Sequence, residues 1–195
     1  MAYPAAMDKT KLAIDPRLMV LVSRADFEAP FDPKSVVIGD DTSWDNAKWD
    51  SWGHTSQEEF PAVEKDGGDI TTYNTAEEDS VESTKAPETH TLTITTNSLT
   101  QAAFERSFPG GKWDAALKAY IIPEINQREK SVMIIGVNGD KSRRFMYIPR
   151  YRFSGDSLPA FNREGLAAFT TKGTLLKHDN YGKVVIGEPR PYVKK

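Results

Sequence analysis

Alternating apolar and polar residues over residues 131–153 predict a long β-hairpin. Two apolar runs flank Asn138-Gly139. An Asn-Gly pair between such runs is a strong hairpin signal, because a type I′ turn needs positive φ at both central positions. Aromatic residues recur in the second run at odd-numbered positions, which predicts one face packed into a core: Phe145, Tyr147, Tyr151 and Phe153. The arginines at even-numbered positions would lie together on the opposite face: Arg144, Arg150 and Arg152.

The rest of the pattern predicts seven to nine strands in all and one helix. Residues 90–96 alternate aliphatic residues with threonines, as in a half-buried strand. A helix follows, with a capping-box match at Ser98 and Gln101, an apolar stripe at 3–4 spacing and a Pro-Gly-Gly stop at 109–111. A last long strand is predicted over residues 166–176. This order indicates a mainly β fold, an antiparallel β-sandwich or barrel with one α-helix on its flank.

The length of 195 residues fits a single domain with extensions. Residues 1–35 contain four prolines and one short apolar run, which indicates an N-terminal arm. The domain would span residues 36–186, and residues 187–195 would form a C-terminal tail. Within the domain, residues 58–88 hold ten Asp/Glu and two Lys. Low hydrophobicity and like charge predict a mobile loop or an extended hairpin that leaves the main body.

Charge is divided unevenly between the two halves of the chain. Residues 1–96 hold 8 Lys/Arg against 19 Asp/Glu, and residues 97–195 hold 17 against 9, giving formal charges of −11 and +8. Either the halves interleave in one sheet and neutralise each other, or acidic and basic surfaces attract neighbouring copies head to tail. The arginines near residues 143–152 likewise fit a solvated face, a contact with an acidic protein surface, or a nucleic-acid surface. Aromatic side chains that point away from the arginines weaken the last interpretation.

No local motif indicates catalysis or a bound cofactor. Cysteine is absent, and the three histidines are far apart, so no metal-ligand spacing is present. The aspartates of residues 40–50 do not have the calcium-loop spacing, and a P-loop, a nucleophile elbow and a dinucleotide fingerprint are missing. We therefore expect no enzyme, no cofactor and no metal. No run reaches the roughly 20 apolar residues of a membrane span, and no signal peptide is evident, so we expect a soluble protein without a membrane partner.

Three tryptophans fall within nine residues: Trp44, Trp49 and Trp52. Each is large enough to anchor a core or an interface. Two interpretations stay open, one with these indoles packed in the core and one in which they line the ligand groove of a binding module. The candidate core or interface anchors are therefore Trp44, Trp49, Trp52, Phe145, Tyr147 and Tyr151.

In the order of its segments the chain resembles the major tail tube proteins of long-tailed, siphovirus-type bacteriophages. The resemblance covers roughly residues 36–186 and rests on five segments taken together: W-x-x-W-G-H-T at 49–55, D-G-G-D-I-T-T-Y at 66–73, T-L-T-I-T-T-N-S-L-T-Q-A-A-F at 91–104, R-R-F-M-Y-I-P-R-Y-R-F at 143–153 and E-G-L-A-A-F-T-T-K-G-T-L-L at 164–176. The proline-rich N-terminal arm and the highly charged residues 58–88 depart from it.

The resemblance implies a structural virion protein with a tail-tube β fold, a long loop and terminal arms. Six copies would close a ring, and rings would stack into the tube through which double-stranded DNA passes into the host without specific binding. The implied partners are further copies of the chain, a tape-measure protein, a tail terminator and baseplate proteins. The implied location is the virion tail, assembled in the host cytoplasm. The alternative function is a non-enzymatic β-sandwich module of a virion, for decoration or carbohydrate binding.

Two charged groups are the candidate subunit-interface residues. The acidic segment is long and poor in core residues, so we expect it to reach the next ring or subunit, and the arginines to contact a neighbour. The residues concerned are Arg143, Arg144, Arg150, Arg152, Glu77, Glu78, Asp79 and Glu82.

Overall fold

A computed structural model describes residues 17–56, 59–73, 82–138, 141–159 and 167–193. The described residues form a mainly β, antiparallel fold with one α-helix, which confirms the predicted fold class. None of their helices is long and apolar enough to cross a membrane. In chain order the elements are β1 Arg17–Ser23, β2 Trp49–Ser51, β3 Ala62–Gly67, β4 Ile70–Tyr73, β5 Glu82–Lys85, β6 Glu88–Thr96, α1 Gln101–Ser107, β7 Lys112–Asp114, β8 Ala119–Ile121, β9 Arg128–Val137, β10 Arg143–Gly155, β11 Phe169–Leu175 and β12 Val185–Ile186.

Eight strands build the main sheet in the order β2-β1-β9-β10-β11-β6-β3, with β12 also paired to β10. The sheet curls so that its two ends meet beyond β2. There Thr55 pairs with Thr96, and the Ser56 amide donates to the Thr95 carbonyl at 3.0 Å. The result is a barrel-like sheet closed at one end. Residues 17–23, assigned above to the N-terminal arm, form β1 inside this sheet, between β2 and β9.

The predicted hairpin is β9 and β10, but its aromatic face is not continuous. The pairing register shifts between Ile148 and Tyr151, where β10 carries one extra residue opposite β9. An extra residue in one strand turns every later side chain to the other face. The prediction of one aromatic face was therefore wrong: Tyr147 packs on one side of the sheet, and Tyr151 and Phe153 pack on the other.

Two hydrophobic cores result, one on each face of the sheet. The Trp52 core lies inside the curl, where β1 and β9 face β6 and β11, and it consists of Val20, Val22, Trp52, Leu92, Ile94, Val132, Ile148, Tyr151, Phe153 and Leu175. The Trp49 core lies on the outer face under the loop that precedes β2, and it consists of Met19, Leu21, Val36, Trp44, Trp49, Met133, Ile135 and Tyr147. A third, smaller cluster joins α1 to β11 through Ala103, Phe108 and Phe169.

The sequence predicted the ends of the helix and of the hairpin less accurately than the elements themselves. The cap of α1 is Thr100, whose hydroxyl accepts from the Ala103 amide at 3.3 Å. The proposed cap, Ser98, instead accepts a hydrogen bond from the His54 amide at 2.8 Å. The connection after the last strand pair, Val137 and Arg143, is longer than the predicted two residues, because the Asn138 amide donates to the Ser142 carbonyl at 3.0 Å across its base. Gly139 of the predicted turn lies outside the described residues.

Gly173 of β11 is a test of how closely the sheet packs around the bulged strand. A Cβ at this position would collide with the backbone oxygen of Arg152 and lie 2.6 Å from the Tyr151 ring. We expect Gly173→Ala to lower the free energy of unfolding by about 1–3 kcal/mol, because overpacking forces neighbouring atoms to move. Chemical denaturation of both proteins measures the difference. Lys172→Ala is the control, since Lys172 is exposed in the same strand; an equal effect of the two variants would contradict the packing argument.

Candidate subunit interface

The acidic segment forms an extended β-hairpin, one of the two forms that its composition allowed. The β3–β6 ladder ends with Gly67 opposite Glu88, and the β4–β5 ladder begins with Ile70 opposite Lys85. Two backbone hydrogen bonds bridge the gap, from the Gly68 amide to Pro87 at 3.2 Å and from the Ala86 amide to Asp69 at 2.8 Å. The two strands therefore continue as one ribbon beyond the sheet. We call this ribbon, residues 68–87, the acidic arm.

The acidic arm bends at two glycines with positive φ. Gly67 and Gly68 have φ of 74° and 81°. A Cβ at Gly67 would collide with the Pro87 carbonyl oxygen, so the bend requires glycine there. Glu88 joins the strands at this point, with Lys85 Nζ at 2.8 Å and Lys65 Nζ at 3.4 Å from its Oε2. These hydrogen bonds, first from Lys85 and then from Lys65, lower the pKa of Glu88 to about 2.

The described part of the acidic arm has no hydrophobic core of its own. Every residue of β4 is exposed, with Ile70 at 67% and Tyr73 at 54% exposure. An isolated two-stranded hairpin is marginally stable in water. A packing partner would therefore stabilise the arm. Of its candidate interface residues, Glu77, Glu78 and Asp79 lie outside the described residues, and for Glu82 only the backbone, opposite Tyr73, is described.

Arg143 lies inside the subunit rather than on a basic face. Its residue exposure is 7%, its Nε donates to the Val36 carbonyl at 2.9 Å, and its Nη1 donates to the Lys141 carbonyl. The guanidinium also stacks 4.4 Å from the centre of the Tyr192 ring. Burial lowers the pKa of Arg143. These contacts hold the start of β10 against the loop before β2 and the C-terminal segment.

The other three arginines do not share one face, so the predicted basic row is also wrong. Arg150 and Arg152 both form ion pairs with Glu129, with N···O distances of 2.6 and 3.2 Å. The hydrogen bond from Arg150 is the main cause of the lowered pKa of Glu129. Arg144 precedes the bulge and lies on the opposite face. It lines a shallow apolar pocket together with Phe60, Met146 and Ile186.

The three clustered tryptophans belong to the two cores. Their exposures are 7%, 1% and 1% for Trp44, Trp49 and Trp52. The Trp44 indole N–H donates to the Trp49 carbonyl at 3.1 Å. Trp49 and Trp52 are therefore closed to a ligand, and only Trp44 borders a pocket, the one beside β1. Phe145, Tyr147 and Tyr151 also pack in or against the cores.

The two outer edges of the sheet are features that the sequence pattern did not identify. β2 pairs only with Leu21–Ser23, and the Trp52 amide donates to the Val20 carbonyl at 2.7 Å. Within the described residues, β1 has no strand partner on this side at residues 17–19. β3 is the opposite edge strand, and among the strands that the structure describes it pairs only with β6. Unpaired strand edges readily accept a strand from another chain.

Other chemistry is not evident in the described part of the chain. No group of three or more His, Asp or Glu side chains there is arranged to hold a metal ion. A pocket of about 600 Å3 lies beside the open edge of β1 and is lined by Leu18, Trp44, His54 and Phe60 among others. The surfaces that stand out are therefore the acidic arm and the open strand edges.

The position of Arg143 gives a prediction about stability. We expect Arg143→Met to lower the free energy of unfolding by about 1–3 kcal/mol, because the buried Val36 carbonyl loses its donor. Thermal and urea unfolding of the monomer measure this. Arg152→Met is the matched control, since it removes only an exposed ion pair worth about 0–1 kcal/mol. Equal stabilities of the two variants would contradict an internal role for Arg143.

Comparison with known proteins agrees with this geometry. The family described as "Phage tail tube protein" matches residues 5–186, which is almost the whole chain and includes β1. No curated protein matches the chain. A match of this extent covers the curled sheet, the acidic arm and α1 together. The chain therefore belongs to the phage tail tube protein family and is a structural component of a virion tail.

Proposed function

We propose that copies of this chain close into rings, that six copies form each ring, and that rings stack into the tube of a siphovirus-type tail. The observation that carries the proposal is the acidic arm, an ordered two-stranded ribbon whose β4 residues are all exposed. A ribbon without its own core is stabilised by a neighbour. Family membership makes further copies of the chain the natural neighbours.

Ring closure would use the two open edges of the sheet. β3 of one copy can pair with the free edge of β1 in the next copy, which is a head-to-tail contact. A head-to-tail contact closes into a ring when the rotation that relates one copy to the next is a whole fraction of a full turn. Closure also removes the unpaired edges that would otherwise promote aggregation. The sheets of successive copies would then line the lumen.

Stacking would use the acidic arm. At roughly 3.3 Å per residue, residues 68–73 extend about 20 Å beyond the main sheet. This length does not include the tip, residues 74–81. The arm would cross from one ring onto the next. Ile70 and Tyr73 are the apolar contacts that the arm offers.

The remaining parts of the proposal concern the assembled tail. Double-stranded DNA would pass through the lumen into the host, and a polar or acidic lumen would limit binding, because Lys/Arg contacts to phosphate hold DNA tightly at low salt. A tape-measure protein, a tail terminator and baseplate proteins would set the length and close the ends. Assembly would take place in the host cytoplasm.

Negative-stain electron microscopy of the purified protein across a concentration series tests the tube directly. We expect rings or tubes of uniform diameter, and a variant in which Asn-Gly replaces residues 70–85 should stay folded but form no stacked tubes. Circular dichroism and thermal unfolding of that variant check its fold. The exposed β7–β8 turn supplies a control, Leu117→Ser, because Leu117 is 71% exposed and outside the arm. Full-length tubes from the arm-replaced variant would reject the stacking role.

The arginines after the bulge give a separate prediction. Arg150 and Arg152 together carry one positive charge more than Glu129 neutralises. We expect Arg150→Glu to abolish tubes while the monomer stays folded, because the reversed charge repels an acidic neighbour. Sedimentation of tubes measures the loss. Arg150→Gln removes the charge without placing a second carboxylate beside Glu129, so it should weaken assembly less. Normal assembly of Arg150→Glu would remove these arginines from the interface.

A further inference from the structure

A second basic feature lies beside α1, formed by residues that are distant in sequence. A cleft of about 320 Å3, which we call the α1 cleft, separates this helix from the ends of β1, β2 and β9. Its charged lining residues are Arg24, Asp50, Glu105, Arg106, Arg128 and Lys130. Two acids and four bases therefore face one small space, which gives the cleft an excess of positive charge.

Two of the four bases already have acidic partners. Arg24 Nη2 lies 2.6 Å from Asp50 Oδ1. Lys130 Nζ lies 3.1 Å from Asp26 Oδ1 and donates to the Arg24 carbonyl at 2.7 Å. The positive charges of Arg24 and Lys130 are therefore balanced within the subunit.

The other two bases, Arg106 and Arg128, are not balanced. Arg106 donates from Nη1 to the Trp52 carbonyl at 2.8 Å and lies 5.9 Å from the centre of the Trp52 ring, but no described carboxylate is within 4 Å of its guanidinium. Burial lowers the pKa of Arg106, and the charges of Arg128 and Arg24 lower it further against the opposing effect of Asp50. Arg128 is exposed, and its side chain makes no ion pair or hydrogen bond with the described residues. Arg106 is a partly buried cation without a carboxylate partner, which is unfavourable, so it would gain from an anion held between it and Arg128.

We propose that the α1 cleft binds carboxylates from the tip of the acidic arm of a neighbouring copy of this chain, with Arg106 and Arg128 as the receiving groups. This proposal rests on the proposed tube, and it names the surface that receives the arm. Guanidinium groups bind carboxylates through two parallel N–H···O bonds, so two arginines can hold adjacent acidic side chains. Arg128 at the surface would make the first contact, and Arg106 would hold the deeper carboxylate.

Charge complementarity is what selects the arm as the occupant. Residues 74–81, between β4 and β5, contain Glu77, Glu78 and Asp79 and no Lys or Arg. Glu88 at the base of the arm is already held by Lys65 and Lys85. The tip is therefore the part of the arm that carries adjacent acidic residues and no base of its own. The α1 cleft supplies two cations that form no ion pair among the described residues, against one lining carboxylate, Glu105, that forms none either.

Reversal of one charge in the cleft and of three charges on the arm tests the contact. Arg128→Glu should not lower the thermal unfolding temperature of the monomer, because the wild-type side chain has no partner to lose and its positive charge acts against Arg106. It should raise the protein concentration needed for tubes at least tenfold, as should the triple change Glu77→Lys, Glu78→Lys and Asp79→Lys. Combining the two should restore assembly to near the wild-type concentration. Lys112→Glu is the matched control, an equal charge change at an exposed position outside the cleft.

A mixing experiment separates this proposal from the tube itself. Arg128→Glu keeps the arm but lacks the receiving cation, whereas the arm-replaced variant keeps the cleft but lacks the arm. Sedimentation velocity of the mixture should show a heterodimer that neither protein forms alone, and the triple lysine change should abolish it. This result would support the contact even if wild-type protein formed no tubes.

Three results would overturn the proposal. One is tube formation by Arg128→Glu at the wild-type concentration. Another is the absence of both the heterodimer and the rescue by charge exchange. The third is a loss of binding to double-stranded DNA in Arg128→Glu without rescue by the lysine arm, which would assign the cleft to nucleic acid. Failure of wild-type protein to form tubes, with the heterodimer present, would count against the tube and not against the cleft.

Discussion

The extra residue in β10 is the constraint on which the rest of the structure depends. Before Ile148 the strand places Tyr147 on the Trp49 core, and after the bulge it places Tyr151 and Phe153 on the Trp52 core. A strand of strict alternation would turn one set of aromatic residues toward solvent. The bulge therefore lets a single strand fill both faces of the sheet. It also sharpens the local twist, which agrees with a sheet that curls until Thr55 meets Thr96.

The buried hydroxyl of Tyr151 shows how the curl is fixed. It donates to the Leu92 carbonyl of β6 at 2.9 Å, across the interior of the sheet. Burial raises the pKa of this phenol far above its ordinary value, so it remains a neutral donor. With both faces of the sheet covered by cores, the open positions that remain are its edges and the acidic arm. Those are the places where a second copy can add contacts without disturbing the subunit.

Much of the fold could be predicted from the sequence, and the errors have one physical origin. Alternation and turn residues gave the β9–β10 hairpin, β6, β11 and the single helix, because each depends on neighbouring residues. The bulge could not be seen, since Pro149-Arg150 continues the polar and apolar alternation while the pairing register changes. That one residue separated Arg144 from Arg150 and divided the aromatic row. The burial of Arg143 depends on Val36 and Tyr192, which are distant in the chain, and Arg106 and Arg128 meet only because α1 packs against the sheet.

Within one subunit, the opposite charges of the two halves of the chain neutralise each other only in part. Lys130 pairs with Asp26, and Arg190 pairs with Asp32, so bases of the second half do neutralise acids of the first. The cations of the α1 cleft, Arg106 and Arg128, have no acidic partner among the described residues, and the acids of residues 74–81 lie outside the described residues. Exposed charge pairs weaken as salt shortens the range of their attraction, whereas backbone pairing between strand edges does not depend on charge. Assembly through both would combine a salt-sensitive contact between rings with a salt-tolerant contact within each ring. In the proposed tube the two kinds of contact could form in sequence, because closing a ring would need only the edges and adding the next ring would need the arm.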